Sequence, residues 1–232
     1  DHRYTLSEDV YFCRKAASLG FKTYVDPAIV CDHHGDTVYK VNTNIMPNNT
    51  TVQPTIDYTN RLIELGKQDL LPQPMVNYLN KLKDENPKVI YDIGSCVLHW
   101  TNKAKQVWPE STFVLFEAME DVKPLYDAAK YPYHLGVLSN EDGKEVSFYQ
   151  NTFHPGGNSY YLENEKVNPE APIYFNEGNK IKKSTRTLDS VVKENNFPYP
   201  DLIKIDVQGA ELDILKGANE VLNHTKHLIL EL

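Results

Sequence analysis

The chain has 232 residues, 41% of them hydrophobic and 24% charged, which is the composition of a folded globular protein. Its formal net charge of -8 argues against nucleic acid as the main partner. No apolar run approaches the ~20 residues needed to span a bilayer, so no membrane span is expected. The N-terminal stretch DHRYTLSEDV has no signal-peptide character. Cys13, Cys31 and Cys96 are odd in number and far apart, and read as reduced thiols of a cytoplasmic protein.

Three parts follow in chain order. Residues 1–40 hold a helical pattern over 7–19, with Ser7 as N-cap and Gly20 as its stop, then a short strand, FKTYVDP. Residues 41–56, VNTNIMPNNTTVQPTI, have linker composition. From 57 onward, amphipathic helices around 57–67 and 73–83 lead into an alternating α/β pattern. Strands are expected at 88–93, 112–117, 133–138, 145–150, 201–206 and 227–232. The runs KVIYDI, TFVLFE, LIKIDV and HLILEL are apolar throughout, as strands buried on both faces of a parallel sheet are. The fold class is therefore α/β: a doubly wound, Rossmann-like sheet with helices on both faces. HLILEL reads as the fifth main strand, so the expectation is a sheet cut short of its C-terminal strands.

In such sheets ligands bind beyond the carboxyl ends of the strands. Asp92, Glu117 and Asp206 each close one of these strands, so all three are expected to line one crevice. Glu117 lies 25 residues after Asp92, near the ~20-residue interval at which an acid meets ribose hydroxyls. A pyrophosphate needs repeated glycines for close backbone approach. After Asp92 and Gly94 the chain instead supplies Ser95, Cys96, Val97, Leu98, His99 and Trp100. A phosphate-free cofactor with a ribose and a cationic centre suits three carboxylates better. That description fits S-adenosyl-L-methionine over NAD.

The stretch DLIKIDVQGAELDILKGA, residues 201–218, places a strand end at Asp206, a turn at Gly209 and Glu211 in the first turn of a helix. Together with YDIG, FEA, GVLS and TLDSVV, it makes residues 60–232 resemble the FkbM-type methyltransferases. The resemblance implies S-adenosyl-L-methionine-dependent O-methyl transfer, commonly to sugar hydroxyls. It implies cofactor contacts from Asp92, Gly94, Ser95, Glu117, Leu138 and Ser139. It puts Lys204, Asp206 and Glu211 near the transferred methyl group. Cys96 and Leu98 stand where that family often has Asn and Gly, and Gln208 where it commonly has Glu. The cofactor turn is therefore expected to be shaped differently.

Asp206 is the first candidate to orient or deprotonate an acceptor, and His154 in NTFHPGGNSYY the second. In that loop Gly156 and Gly157 give mobility, while Asn158, Ser159, Tyr160 and Tyr161 offer hydrogen bonds and stacking to a carbohydrate acceptor, a glycan or a nucleotide-linked sugar. His99 and Trp100 read as packing residues. Asp206 and Glu211 could offer oxygens to Mg²⁺, but two carboxylates make no metal site and none is assigned. SEDVYFCRKAASLGFKTYVDPAIVCDHHG, residues 7–35, resembles the last third of a nucleotide-sugar glycosyltransferase domain. In it, Glu8-Asp9 would supply the base and His33 or His34 a metal ligand. The implied whole is a fused glycosyltransferase–methyltransferase. An NAD-dependent oxidoreductase and a non-catalytic binding domain on the same sheet remain the alternatives.

Overall fold

A computed structural model describes residues 54–151, 154–165 and 168–231. The expected helix 7–19, the strand after it and the residues Glu8, Asp9, His33 and His34 lie outside the described residues.

Helices α1 (Pro54–Gly66) and α2 (Gln73–Lys81) precede the sheet. The first strand, β1 (Val89–Ile93), runs into α3 (His99–Val107). Then come β2 (Thr112–Glu117), α4 (Lys123–Ala129) and β3 (Tyr133–Leu135). After these, β4 (Val137–Leu138), β5 (Glu145–Tyr149), α5 (Ala171–Tyr174), β6 (Lys180–Arg186) and α6 (Leu188–Asn195) lead to β7 (Leu202–Ile205). The last elements are α7 (Glu211–Lys216), α8 (Asn219–His224) and β8 (His227–Leu230).

The five strands of the main sheet stand in the order β3-β2-β1-β7-β8, all parallel. Both faces are covered, which is why its strands are apolar without alternation. Ile90, Phe113, Leu115, Leu202 and Ile229 pack into one cluster with Leu62 of α1, Leu79 of α2, Trp100 and Ala104 of α3 and Tyr126 of α4. The alternate residues Tyr91, Ile93, Val114, Phe116, Ile203 and Ile205 face the other way and are equally buried. On that side Phe116 meets Phe197 edge to face at 6.0 Å, and the Tyr91 hydroxyl donates to Pro198 O at 2.7 Å. The doubly wound α/β architecture is thus present.

Two expectations change. The strand foreseen at 133–138 is two strands in two sheets. Gly136 N–H still bonds to Glu117 O, extending the main-sheet ladder, and Val137 then pairs with Thr185 of β6. The change of sheet falls at Gly136. The second change is β6, which had no apolar signature. KIKKSTR is the middle strand of a three-stranded sheet ordered β4-β6-β5, and six of its seven residues are exposed or only partly buried. With one wet face, lysines are tolerated there.

Candidate active site

Two turns at the carboxyl end of the main sheet build the floor of the site. The first runs from Gly94 to Leu98 between β1 and α3. Gly94 has φ +76°, and a β-carbon there would stand 1.7 Å from Asp206 O, so only glycine lets the two turns touch. Cys96 and Leu98 are also left-handed, at φ 43° and 72°. These are the two positions where an altered turn was expected. Asn and Gly take this conformation at low cost, so the two bulkier residues here bear strain. Leu98 is held there by burial in the core.

Glu117, at the end of β2, holds this turn in place. Its Oε2 accepts from Cys96 N–H at 2.9 Å, and its Oε1 accepts from Ala118 and Met119 N–H at 2.8 and 2.9 Å. Burial raises the pKa of this carboxyl, while the three amides and Lys204 pull it back toward the charged form. Each carboxylate oxygen keeps accepting capacity for a ligand. Burial, with Glu117 next to it, pushes the Cys96 thiol up to about 12.

The second turn, from Asp206 to Ala210, connects β7 to α7. Gln208 and Gly209 are left-handed, at φ 58° and 100°. Glu211 Oε1 accepts from Val207 and Gly209 N–H at 3.0 and 3.2 Å, and the residue is buried. It therefore clamps its own turn. Asp206 is partly open and accepts from Gln208 Nε2 at 2.9 Å.

Lys204 ties the two turns together from beneath. Its ammonium lies 3.2 Å from Asp92, 3.3 Å from Asp206 and 3.0 Å from Gly94 O. Burial works to lower its pKa, yet Asp92 and Asp206 together hold it above the ordinary lysine value. Asp92 is fully buried and also accepts from the Thr101 hydroxyl. It does not line the crevice, contrary to expectation, because it lies inside β1 on the face covered by α3. Ser95 likewise turns inward, to Phe116 O and the Tyr126 hydroxyl.

Above this floor a cavity opens. Glu117 and Asp206 line it, with Gly94, Cys96 and Leu138. Phe148 of β5 adds an apolar wall, and Asn158, Ser159 and Tyr160 come from the loop after β5. Ser139 sits behind that wall, buried, with its hydroxyl 3.2 Å from that of Tyr160. His154 is exposed and outside the lining, its ring 6.0 Å from that of Tyr174. The packing expected of His99 and Trp100 is seen: His99 bonds Leu65 O at 2.7 Å, and Trp100 is buried.

Sequence reasoning missed three residues. Phe148 belongs to a strand whose side chain facing could not be read from sequence. Asp213 accepts from the hydroxyls of Tyr161 at 2.6 Å and Tyr160 at 3.2 Å, and the two rings lie tilted with centroids 4.8 Å apart. Glu231 directly follows β8, and its N–H donates to Ile205 O at 3.1 Å beside Asp206.

The donor set can be tested against S-adenosyl-L-methionine. Two carboxylates line the cavity, and among the described residues that line it there is no Lys, Arg or His. Such a lining suits a cation carrying ribose hydroxyls and gives a pyrophosphate no counter-charge. Residues 89–232 match the Methyltransferase FkbM domain. Methyltransferase 1 of Beauveria bassiana (strain ARSEF 2860) is 25% identical over 163 residues, covering 62% of this chain and 65% of that protein. The chain thus spans under two thirds of that relative's length. FkbM-type methyltransferases depend on S-adenosyl-L-methionine, in agreement with the cofactor inferred from the missing glycines. No described helix is long and apolar enough to cross a membrane. With the domain matched over more than half its length, the chain belongs to the FkbM methyltransferase family.

Proposed function

We propose that the chain methylates a hydroxyl oxygen, on a carbohydrate acceptor, at the cavity between the two turns. The observation that carries this reading is the lining itself: Glu117 and Asp206 on a cavity with no cation among the described residues that line it. S-adenosyl-L-methionine supplies an already activated methyl group. Glu117 would hold the ribose hydroxyls, with the Gly94–Cys96 turn and Leu138 against the rest of the nucleoside. Methyl transfer then needs little beyond alignment of the acceptor oxygen and removal of its proton. Asp206 lines the cavity and serves as orienter or base, whereas His154 is outside the lining. Lys204, 3.3 Å away, holds Asp206 in position. Support for a sugar acceptor comes from Tyr160, which lines the cavity and, with its neighbour Tyr161, donates to Asp213, setting an aromatic ring next to hydrogen-bonding groups.

The resemblance of residues 7–35 to a glycosyltransferase segment extends the proposal to a fused enzyme that modifies the glycan it builds. Calorimetry tests the core of the reading: S-adenosyl-L-methionine should bind and NAD should not. The reverse result would establish an oxidoreductase. Transfer of labelled methyl to a panel of free and nucleotide-linked sugars tests the acceptor, and labelling of a non-sugar hydroxyl alone would overturn the sugar assignment.

A further inference from the structure

The polar side chains of the loop after β5 were expected to reach for the acceptor. The hydroxyl of Ser159 is instead committed to the protein. Ser159 is buried, and its backbone pairs in both directions with Tyr149, the last residue of β5, at 2.8 and 3.3 Å. Its Oγ donates its one proton to Gln208 O at 2.8 Å and accepts from Tyr161 N–H at 3.0 Å. Ser159 and Gln208 both line the cavity, so this bond ties the loop to the second floor turn at the cavity wall.

Gln208 is a strained point of the Asp206–Ala210 turn. It is not glycine, yet it sits at φ 58°. Glu211 holds the N–H groups on either side of it, those of Val207 and Gly209. Ser159 holds its carbonyl. The exposed side chain of Gln208 then donates from Nε2 to Asp206 Oδ1 at 2.9 Å.

Asp206 therefore has a separate partner for each oxygen. Lys204 lies 3.3 Å from Oδ2, and Gln208 Nε2 lies 2.9 Å from Oδ1. Two partners fix the rotation of the carboxyl, whereas one leaves it free to swing. The Lys204 anchor is buried in the floor. The Gln208 anchor hangs on an exposed side chain with a strained backbone, so it holds only as well as that backbone is pinned.

We propose that Ser159 is a positioning residue for methyl transfer: by gripping the Gln208 carbonyl it keeps Gln208 left-handed, and Gln208 then aims the Asp206 carboxyl at the acceptor oxygen. This rests on the methyl-transfer reading, in which Asp206 orients the acceptor or takes its proton. Alignment of the acceptor oxygen is most of what that reaction asks of the protein. Loosening Asp206 therefore costs rate and spares cofactor affinity.

The first test needs no acceptor. In a nitrogen-15 NMR spectrum of the whole chain, the Gln208 side-chain amide is assigned by its loss in Gln208→Ala. In Ser159→Ala that signal should move toward the position of a free, solvated glutamine amide. A signal unmoved by Ser159→Ala overturns the link. With an acceptor in hand, Ser159→Ala should lower kcat about tenfold, while calorimetry finds the affinity for S-adenosyl-L-methionine unchanged. Gln208→Ala, at an exposed residue, cuts the same link without touching the buried hydroxyl and should give the same loss. The double variant should be no slower than either single one, because both act through Asp206. Losses that multiply, or a fall in cofactor affinity matching the fall in kcat, overturn the positioning role. Absence of cofactor binding by the unmodified chain overturns the methyltransferase reading itself, and the Gln208 signal tells that failure apart from failure of the link.

Discussion

The two turns that floor the cavity use one device with opposite outcomes. Each passes through left-handed residues, and each is held by a carboxylate that collects backbone N–H groups. In the Gly94–Leu98 turn that carboxylate is Glu117, which reaches across from a neighbouring strand and lines the cavity. In the Asp206–Ala210 turn it is Glu211, which reaches back from its own helix and is buried. A clamp from another strand keeps a face toward the ligand, whereas a clamp from the next helix is used up by the turn. Glu117 is thus available to a cofactor and Glu211 is not, although the sequence put both beside the site.

The largest effect should come from the lysine shared by both turns. Lys204→Met leaves Asp92 buried without a counter-charge, at a cost of ~3–5 kcal/mol. Adding Asp92→Asn should recover part of it. Urea denaturation of the single and double variants checks this, and a loss below ~1 kcal/mol for the single change would mean the turns do not depend on the buried pair. Next, Gly94→Ala places a methyl group against Asp206 O in a left-handed residue and should cost ~3 kcal/mol. A melting temperature unchanged from the parent chain would show that the turns can separate freely.

Two smaller effects sharpen the contrast between the clamps. Glu117→Ala should weaken S-adenosyl-L-methionine binding by ~1.5–3 kcal/mol, through lost hydrogen bonds to the ribose. Glu211→Ala should instead lower stability with a smaller change in affinity. Equal affinity losses in calorimetry would erase the distinction drawn here. Smallest of all, Gln208→Asn should stabilise the chain by ~0.5 kcal/mol, because Asn tolerates the left-handed conformation better. A destabilisation of that size would mean the longer amide's bond to Asp206 outweighs the strain.

The main sheet was legible because burial on both faces leaves continuous apolar runs, and VIYDI, TFVLFE, LIKI and HLIL carry that mark. Glu117 and Asp206 were legible by the same logic, since the acid follows the run. Asp92 misled because a strand-end acid and an acid buried one residue earlier look alike in sequence. Its partnership with Lys204 depends on the pairing of β1 with β7, which no local pattern encodes. The strand KIKKSTR was illegible because its wet face carries lysines. Cys96 and Leu98 have left-handed backbone without being the residues that favour it, which no local pattern announces.

The seam between β1 and β7 also has a kinetic meaning. On one side, β1, α3 and β2 are consecutive in the chain, and on the other β7, α7, α8 and β8 are consecutive. Each half can find its own contacts quickly. The seam joins residues as far apart as Gly94 and Lys204, 110 positions along the chain. Its closure carries the loop entropy that slows the folding of non-local topologies. The cavity floor therefore forms only when the halves meet, and a chain stalled before that step would hold most of its helices and strands while having nowhere to bind a cofactor.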